Sequence, residues 1–299
     1  MCGIMGYYSF GRTIPDKKKI EKMFVLLETR GRDASGFAFI DPVTNKLKVT
    51  KSDVPASKLV RTKEWVSLRL PRIQIFHTRL QTQGIPANNM NNHPLFTKDG
   101  LAIVHNGQIY NDNEIFTRKV KRDAQVDSES ILAVLSNNKR KTDKIKNLFE
   151  TLDGVFAVVM IEQTVPERLA LIKKDNPIEL YYNSEDDILY FASEKGIMQE
   201  ALGIESTYRR GFSIGENNYH YYHMDDNHAL VINKNGIESY KKYQPRYSFG
   251  YGDIVNDCFD DSLLMECPYC FETTHYSWIK LNNKCQHCRQ YISEEDVYV

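Results

Sequence analysis

Short apolar runs separated by polar turns dominate the chain, with several helical patterns between them. In residues 15–29 apolar side chains recur at three- and four-residue spacing, the signature of an amphipathic helix. Further helical patterns cover 57–70, 131–135, 145–152 and 193–202. Strand-like runs occupy 3–8, 37–40, 46–51, 73–78, 101–104, 155–162, 168–173, 179–182, 188–192, 229–232 and 237–243. Because turn-length connections join the later strands, they pair antiparallel. The pattern predicts an α+β fold with helices layered on antiparallel sheets.

The composition is that of a soluble globular protein. The chain has 299 residues, 41% of them hydrophobic, and its 39 basic residues balance 39 acidic ones. This balance removes any global field that would favour nucleic acid or an anionic membrane. No apolar run reaches the length of a membrane span, and the N-terminus lacks the features of a secretory signal. We therefore expect a cytoplasmic protein with no membrane association.

Two cysteine pairs near the C-terminus have the spacing of a metal site. Cys267 and Cys270 form one CxxC pair, and Cys285 and Cys288 form the second. Four thiolates at this spacing predict a zinc ribbon with structural Zn²⁺ in a closed tetrahedral site. An iron–sulfur centre or a redox pair is the alternative. The ribbon could bind nucleic acid, bind a protein partner or cap a domain.

The apolar pattern and the cysteine pairs together set the predicted domain limits. Residues 2–243 carry the alternating helices and strands, 244–266 have no clear period, and 267–299 contain the two cysteine pairs. The sequence thus predicts a large catalytic or binding domain, a linker and a small ribbon module.

Cys2 directly follows the initiator Met1. If the methionine is removed, a thiol and a free α-amine lie on one residue, and the amine can act as the base that activates the thiol. The alternative is an ordinary inert thiol, which is the more common role of a lone cysteine.

Three more sites in the sequence each have two possible interpretations, one structural and one functional. Arg79 follows the strand 73–78 at the mouth of a long polar loop, where it could be a surface residue or a bidentate carboxylate clamp. Asn106-Gly107 after a strand is a turn signal or an oxyanion hole made of a side-chain amide and a backbone N–H. Asp127 could cap a helix or hold a substrate ammonium.

Taken in order, the motifs of residues 2–240 resemble the class II, N-terminal nucleophile, glutamine amidotransferase domain. The motifs are Cys2-Gly3-Ile4, Arg30-Gly31 with Asp33 and Gly36, His77-Thr78-Arg79, Thr82 with Gly84, Asn92-His93-Pro94, His105-Asn106-Gly107, Asp127 with Glu129, Leu152-Asp153-Gly154 and Phe191-Ala192-Ser193-Glu194. The resemblance implies a four-layer αββα sandwich, in which two antiparallel sheets lie between layers of helices.

The resemblance also implies roles for the candidate residues. Cys2 would attack the side-chain amide of free L-glutamine and form a thioester, giving ammonia and then glutamate. Asn106 and Gly107 would stabilise the oxyanion. The implied substrate-binding set holds the two charged groups of the free amino acid at Arg79 and Asp127. It also contains Thr82 and His93.

Some features depart from the family pattern. Leu80 stands where the sugar-synthase branch has tryptophan, and Gln83 replaces a histidine of that branch. His77, His93 and His105 are expected mainly in structural or positioning roles. Members of the family normally carry a second domain that consumes ammonia, whereas about sixty residues follow position 240. We therefore expect an acceptor synthase on another chain. The alternatives are a catalytically silent glutamine-binding scaffold and a nucleic-acid adaptor that acts through the ribbon, which the neutral charge does not favour.

Overall fold

The computed structural model describes residues 2–116, 121–136, 143–204 and 218–245, together with the backbone of 264–266 and 273–275. The chain divides into two compact units, 1–247 and 248–299. Their boundary falls inside the segment predicted as a linker, and the finer domain limits stay a prediction.

The described strands alternate with short helices along the first unit. The strands are β1 (Gly3–Ser9), β2 (Ala34–Ile40), β3 (Leu47–Ser52), β4 (Ile73–Arg79), β5 (Leu95–Phe96), β6 (Leu101–Ile109), β7 (Gly154–Glu162), β8 (Leu169–Lys174), β9 (Glu179–Asn183), β10 (Ile188–Ala192), β11 (Tyr219–His223), β12 (His228–Asn233) and β13 (Gly236–Lys242). The helices are α1 (Lys17–Leu26), α2 (Ala56–Leu59), α3 (Lys63–Val66), α4 (Asp112–Ile115), α5 (Glu129–Ser136), α6 (Lys144–Thr151) and α7 (Lys195–Leu202), with 3₁₀ turns at Leu27–Thr29 and Asn89–Asn91.

Two antiparallel sheets form the centre of this unit. The first sheet has the order β11-β9-β10-β1-β4-β2-β3, and the second has the order β13-β12-β8-β7-β6-β5. Strand β6 of the second sheet contacts β1 and β4 of the first, and β7 contacts β2, so the two sheets face each other. The predicted α+β class with two antiparallel sheets is confirmed.

Each sheet carries a layer of helices on its outer face. One apolar cluster joins α1 and α7 to the first sheet, and it includes the buried aromatic residues Phe24, Trp65 and Phe76. The Phe24 and Phe76 ring centroids are 5.0 Å apart. The second cluster joins α5 and α6 to the second sheet. Burial of each large apolar side chain contributes roughly 1.5–3 kcal/mol, and these two outer cores hold the sheets in the layered arrangement that the motifs predict.

Four elements differ from the sequence pattern: one predicted helix and the strands β5, β6 and β11. The helix predicted over 57–70 is broken into α2 and α3, because Thr62 lies in extended backbone and its hydroxyl accepts a hydrogen bond from the Trp65 amide. A side-chain cap of this kind competes with continued helix. Strand β6 runs through Asn106 and Gly107 to Ile109, so the turn interpretation of that dipeptide is wrong. Strands β5 and β11 lack an apolar run long enough to predict them.

In the second unit the described backbone is an antiparallel hairpin. Strand β14 (Leu264–Glu266) pairs with β15 (Thr273–His275), and Leu264 lies opposite His275. The four predicted zinc ligands lie outside the described residues. Within the part of the chain that the structure describes, no helix is both long and apolar enough to cross a membrane.

Candidate active site

Cys2 immediately precedes β1, in the middle of the first sheet. Gly3 pairs with Thr78 on β4, which places Cys2 beside the end of that strand. The Cys2 thiol donates a hydrogen bond to the Leu80 carbonyl at 3.6 Å, and the residue is half-buried. A Cβ on Gly3 would lie 2.7 Å from Leu27 Cγ and 2.8 Å from Thr78 Oγ1, so the backbone beside the thiol is packed too closely to admit a side chain.

Arg30 and Glu194 stabilise the start of β1 through side-chain contacts, in addition to its pairing with neighbouring strands. Arg30 Nε donates to the Cys2 carbonyl at 3.1 Å, and Arg30 Nη1 forms an ion pair with Glu194 Oε1 at 2.6 Å. Ser193 adds a further hydrogen bond, since its hydroxyl accepts from the Ile4 amide at 2.9 Å. Charge-assisted hydrogen bonds of this geometry are the stronger ones. They fix the backbone that carries the thiol.

Arg79, the last residue of β4, is 3% exposed and supports the 80–94 loop. Its Nη1 donates to Asn92 Oδ1 at 2.8 Å, and its Nη2 donates to the Gln83 and Gly84 carbonyls. An arginine carries five N–H donors, so donors remain for an anion. Burial lowers the pKa of Arg79, while Cys2, Asp33 and Asp127 act in the opposite direction. The guanidinium is therefore within electrostatic reach of the thiol and of Asp127.

Asp127 connects this loop to the second sheet. Its Oδ2 accepts from the Ile109 amide at 2.7 Å, and its Oδ1 accepts from the Ser128 amide at 2.8 Å. Its own amide donates to Gln83 Oε1 at 3.1 Å. Neither carboxylate bond reaches the second or third amide of α5, so the prediction that Asp127 caps this helix in the usual way is wrong. The carboxylate instead lies at the end of β6.

Asn106 and Gly107 lie next to each other on β6, and Asn176 supports them from the turn after β8. Asn176 Nδ2 donates to the Asn106 carbonyl at 3.0 Å, and Asn106 Nδ2 donates to Asn176 Oδ1 at 3.5 Å. Gly107 has φ of +144°, and a Cβ there would lie 2.0 Å from the Val155 carbonyl oxygen. Asn106 is buried while Gly107 is exposed, so the strand presents its Gly107 edge to solvent.

Three buried histidines lie between the two sheets behind these groups. His77 Nε2 donates to the His105 carbonyl at 3.0 Å, which joins β4 to the residue before Asn106. His93 stacks on His77 with ring centroids 4.2 Å apart, and neither of its ring nitrogens has a hydrogen-bond partner among the described residues. His105 Nδ1 lies 2.8 Å from the Ser128 hydroxyl. A carbonyl oxygen can only accept, so His77 carries its proton on Nε2.

The charges around the thiol determine its reactivity. Burial raises the pKa of Cys2, and the hydrogen bond to Leu80 and the Arg79 charge partly offset this effect. Because the thiolate is the nucleophile, the thiol of this site needs an adjacent base.

Comparisons with known proteins show which sequences this chain resembles. A family model described as a glutamine amidotransferase domain matches residues 77–200. The glutamine--fructose-6-phosphate aminotransferase [isomerizing] of Pyrococcus horikoshii is 34% identical over 190 residues, which are 60% of this chain and 30% of that protein. The Tropheryma whipplei enzyme of the same name is 32% identical over 202 residues, covering 63% of this chain and 32% of that protein. Residues 77–200 therefore carry a glutamine amidotransferase domain.

Solved structures show the same fold for the amidotransferase domain. Glutamine phosphoribosylpyrophosphate amidotransferase from B. subtilis superposes with a TM-score of 0.60 at 18% identity, over 81% of this chain and 49% of that one. A glutamine aminotransferase class-II domain protein from Silicibacter pomeroyi gives 0.51 at 14% identity, over 82% of this chain and all of that one. The chain spans about a third of the length of the curated relatives that it matches.

Of the seven site residues predicted outside the cysteine pairs, the structure brings Cys2, Arg79 and Asp127 together at the start of β1. Cys2, Arg79 and Asp127 are linked electrostatically, and Asn106-Gly107 is joined to β4 through His77. Thr82 is exposed on the loop. His93 is 4% exposed and stacks on His77, so it supports the site by packing and does not line an open surface. The role of each residue stays a prediction.

The sequence gives little warning of several supporting residues of the amidotransferase domain. Asn176 sits in a polar turn that any loop could contain. Lys51 and Ser128 act through contacts between elements far apart in the chain, which no local pattern reveals. Arg30, Asn92 and Glu194 do occur in the family motifs, and that is the one signal that could have singled them out.

The histidine cluster generates a pH prediction. Burial lowers the pKa of His77 to about 3 and also lowers those of His93 and His105. Below pH about 6.5 these histidines become protonated in the unfolded chain but stay neutral in the folded protein. The free energy of unfolding should therefore fall as pH drops from about 6.5 toward 4, by about 1.4 kcal/mol per pH unit for each histidine that stays neutral.

Urea denaturation at several pH values measures this slope. The variant His93→Phe removes one titrating group and none of the described hydrogen bonds, so its slope should be smaller by about one histidine's share. An unchanged slope in this variant would show that His93 is protonated in the folded protein.

Gly107 generates a second prediction. Gly107→Ala combines positive φ with a clash against Val155, and should lower the free energy of unfolding by about 2 kcal/mol or more. Gly196→Ala is the matched control, because Gly196 lies in helix α7 with nothing within 4 Å of its added Cβ, and it should raise that free energy by about 0.5–1 kcal/mol. Equal stability of the two variants, measured by urea denaturation, would contradict the described backbone of β6.

Proposed function

We propose that this protein hydrolyses the side-chain amide of free L-glutamine through a Cys2 thioester and supplies the ammonia to an acceptor synthase. The observation that carries the proposal is the position of the Cys2 thiol at the end of β1, within the fields of both Arg79 and Asp127. These opposite charges match the α-carboxylate and α-ammonium of a free amino acid.

The reaction follows from the neighbours of Cys2. With Met1 removed, the Cys2 α-amine takes the thiol proton, and the sulfur attacks the amide carbon of glutamine. Asn106 Nδ2 and the Gly107 N–H stabilise the negative oxygen of the tetrahedral intermediate. The C–N bond then breaks, the leaving nitrogen takes the proton from the α-amine, and ammonia departs. Water attacks the remaining thioester, which releases glutamate and restores the thiol.

The two charged residues also explain selectivity. Arg79 keeps N–H donors free after its three bonds to the loop, and a planar guanidinium suits a carboxylate. Asp127 is already oriented by the Ile109 and Ser128 amides, so it needs no rearrangement to accept from an ammonium. A glutamine residue within a protein lacks both free charges and would not satisfy the site.

The ammonia acceptor is proposed to be a synthase subunit that docks at the rim of the site. Support comes from the exposed apolar side chains of the 80–94 loop, since Leu80, Ile85 and Met90 are 42%, 58% and 52% exposed. We propose that these three side chains of one loop form a single patch, since contiguous exposed apolar patches are typical of interaction surfaces. A cytoplasmic location stays a prediction.

We also propose structural Zn²⁺ in the C-terminal unit, held by Cys267, Cys270, Cys285 and Cys288. The first pair falls in the sequence between strands β14 and β15, which form a hairpin. This arrangement fits the knuckle that a CxxC pair provides in a zinc ribbon, and four thiolates fill the tetrahedral shell of zinc.

Glutamate release tests the proposed activity. The purified chain, shown by mass spectrometry to lack Met1, should convert glutamine to equal amounts of glutamate and ammonia. Cys2→Ala should lower the rate by at least about 1,000-fold, because the covalent route is lost. A glutamine analogue with an electrophilic side-chain carbon should label Cys2 in the unaltered chain.

The controls separate a silent scaffold from an enzyme. Calorimetric binding of glutamine without release of glutamate, and without labelling, would support the scaffold alternative and contradict hydrolysis. Since activity in a partner's absence could be low, the labelling of Cys2 is the more decisive measurement.

Metal analysis tests the zinc proposal independently of activity. The intact chain should contain about one zinc per chain by plasma mass spectrometry, because one closed site needs four thiolates. Cys285→Ser should lose most of that zinc, whereas Cys258→Ser, which alters a cysteine outside the two pairs, should retain it. Iron in place of zinc, or equal zinc in the two variants, would refute the proposed site.

A further inference from the structure

Lys51 lies on β3, at the edge of the first sheet. Both its side chain and its backbone carbonyl form hydrogen bonds with the 80–94 loop. Its Nζ donates to the Asn92 carbonyl at 2.6 Å, and its own carbonyl accepts from Asn89 Nδ2 at 3.1 Å. The ammonium also lies 5.3 Å from the centre of the Phe96 ring. This side chain therefore turns inward, toward the loop that supports Arg79.

Asn92 is the residue that connects Lys51 to Arg79. It is fully buried, and its Oδ1 accepts from Arg79 Nη1 at 2.8 Å. Its Nδ2 donates to the Pro86 carbonyl at 2.7 Å and to Asn89 Oδ1 at 3.1 Å. Lys51 holds the backbone of Asn92 while the Asn92 side chain holds the guanidinium, so a change at Lys51 is transmitted to Arg79 through one residue.

The charges around Lys51 are unbalanced. None of the described carboxylates forms an ion pair with it, and the titratable groups that face it are Arg79, His77 and His93. Burial, followed by repulsion from Arg79, lowers the pKa of Lys51 to about 8. The nearest acidic neighbour in sequence, Asp53, is exposed and accepts from Ser52. Lys51 and Arg79 thus lie close enough to repel each other, while the anions that act on this pair, Asp33 and Asp127, act on Arg79.

We propose that Lys51 is a positioning residue for the glutamine carboxylate, fixing the Arg79 clamp through Asn92 and adding a second positive charge that the bound carboxylate neutralises. This inference rests on the proposed function and assigns the clamp a residue that lies on a strand outside the family motifs.

The proposal predicts a change in affinity with little change in chemistry. An anion beside Arg79 reduces the repulsion between the two cations, so the protonated lysine and the bound carboxylate stabilise each other. Glutamine should therefore bind more weakly as Lys51 loses its proton above pH 8. The amide carbon lies at the other end of the substrate, so kcat should depend on Lys51 far less than KM does.

Variants at one strand supply the test. Lys51→Met should raise KM for glutamine about tenfold, the usual effect of losing a hydrogen bond to a charged group, and leave kcat within about twofold. The arginine of Lys51→Arg stays charged at all working pH values, so this variant should bind glutamine well. Its KM should rise less above pH 8 than the KM of the unaltered chain. The α-ammonium of glutamine titrates in the same range, but it contributes equally in the unaltered chain and in Lys51→Arg. Comparing the pH profiles of these two proteins therefore cancels its contribution.

Lys48→Met is the matched control, because Lys48 is exposed on the same strand and its removal should change neither constant. Calorimetry in a Cys2→Ala background measures glutamine affinity without turnover. Thermal melting checks folding, and Lys51→Met should not lose stability through charge removal, since burial already disfavours the charged form.

The outcomes are distinct. A raised dissociation constant in Lys51→Met, with kcat retained and affinity restored by Lys51→Arg, supports the proposal. Unaltered affinity in Lys51→Met overturns it while leaving glutamine hydrolysis intact, and so does an equal fall of kcat and kcat/KM that arginine does not restore. If the intact chain releases no glutamate and the Cys2→Ala chain binds no glutamine, the proposed function itself fails.

Discussion

The antiparallel ladder between β1 and β4 is the constraint on which the site depends. A chain terminus is normally among the least ordered parts of a domain, yet here Gly3 pairs with Thr78 in the centre of a sheet. The ladder places Cys2 beside Arg79 by backbone geometry alone, and the Arg30 bond to the Cys2 carbonyl removes the remaining freedom. The proposed role of Cys2 as a nucleophile that supplies its own base would need this rigidity, because both its amine and its thiol must stay directed at the substrate.

The second constraint is the junction between the two sheets. The nucleophile and the arginine belong to the first sheet, whereas Asn106, Gly107 and Asp127 belong to or contact the second. The hydrogen bond from His77 to the His105 carbonyl crosses this gap directly behind Asn106. Several ring nitrogens of these buried imidazoles have no hydrogen-bond partner among the described residues. Unpaired buried polar groups lower the free energy of unfolding, so the histidine cluster makes the fold less stable.

The sequence predicts the class of the fold well, because the fold leaves local signals, and the same kind of signal singles out the residues of the proposed chemistry. Strand length, turn spacing and the position of Cys2 can be read without tertiary information, and the ordered motifs single out Arg79 and Asp127. Prediction fails where the decisive contact is long-range. The Asn106-Gly107 dipeptide is equally compatible with a turn, since only the pairing with β7 shows that the strand continues. Asn176 and Lys51 have no local signature, because their partners lie about seventy and forty residues away in the chain.

The same distinction divides the residues of the proposed site into two groups. Local patterns identify the residues proposed to touch the substrate, whereas the residues that tune their charges come from neighbouring strands and loops. Arg79 and Lys51 repel each other across Asn92, and the Asp33 and Asp127 carboxylates act on Arg79 in the opposite direction. The proposed carboxylate of glutamine would contact the same guanidinium that binds the Gln83 and Gly84 carbonyls of the loop. Glutamine binding and the position of the loop would then be thermodynamically linked.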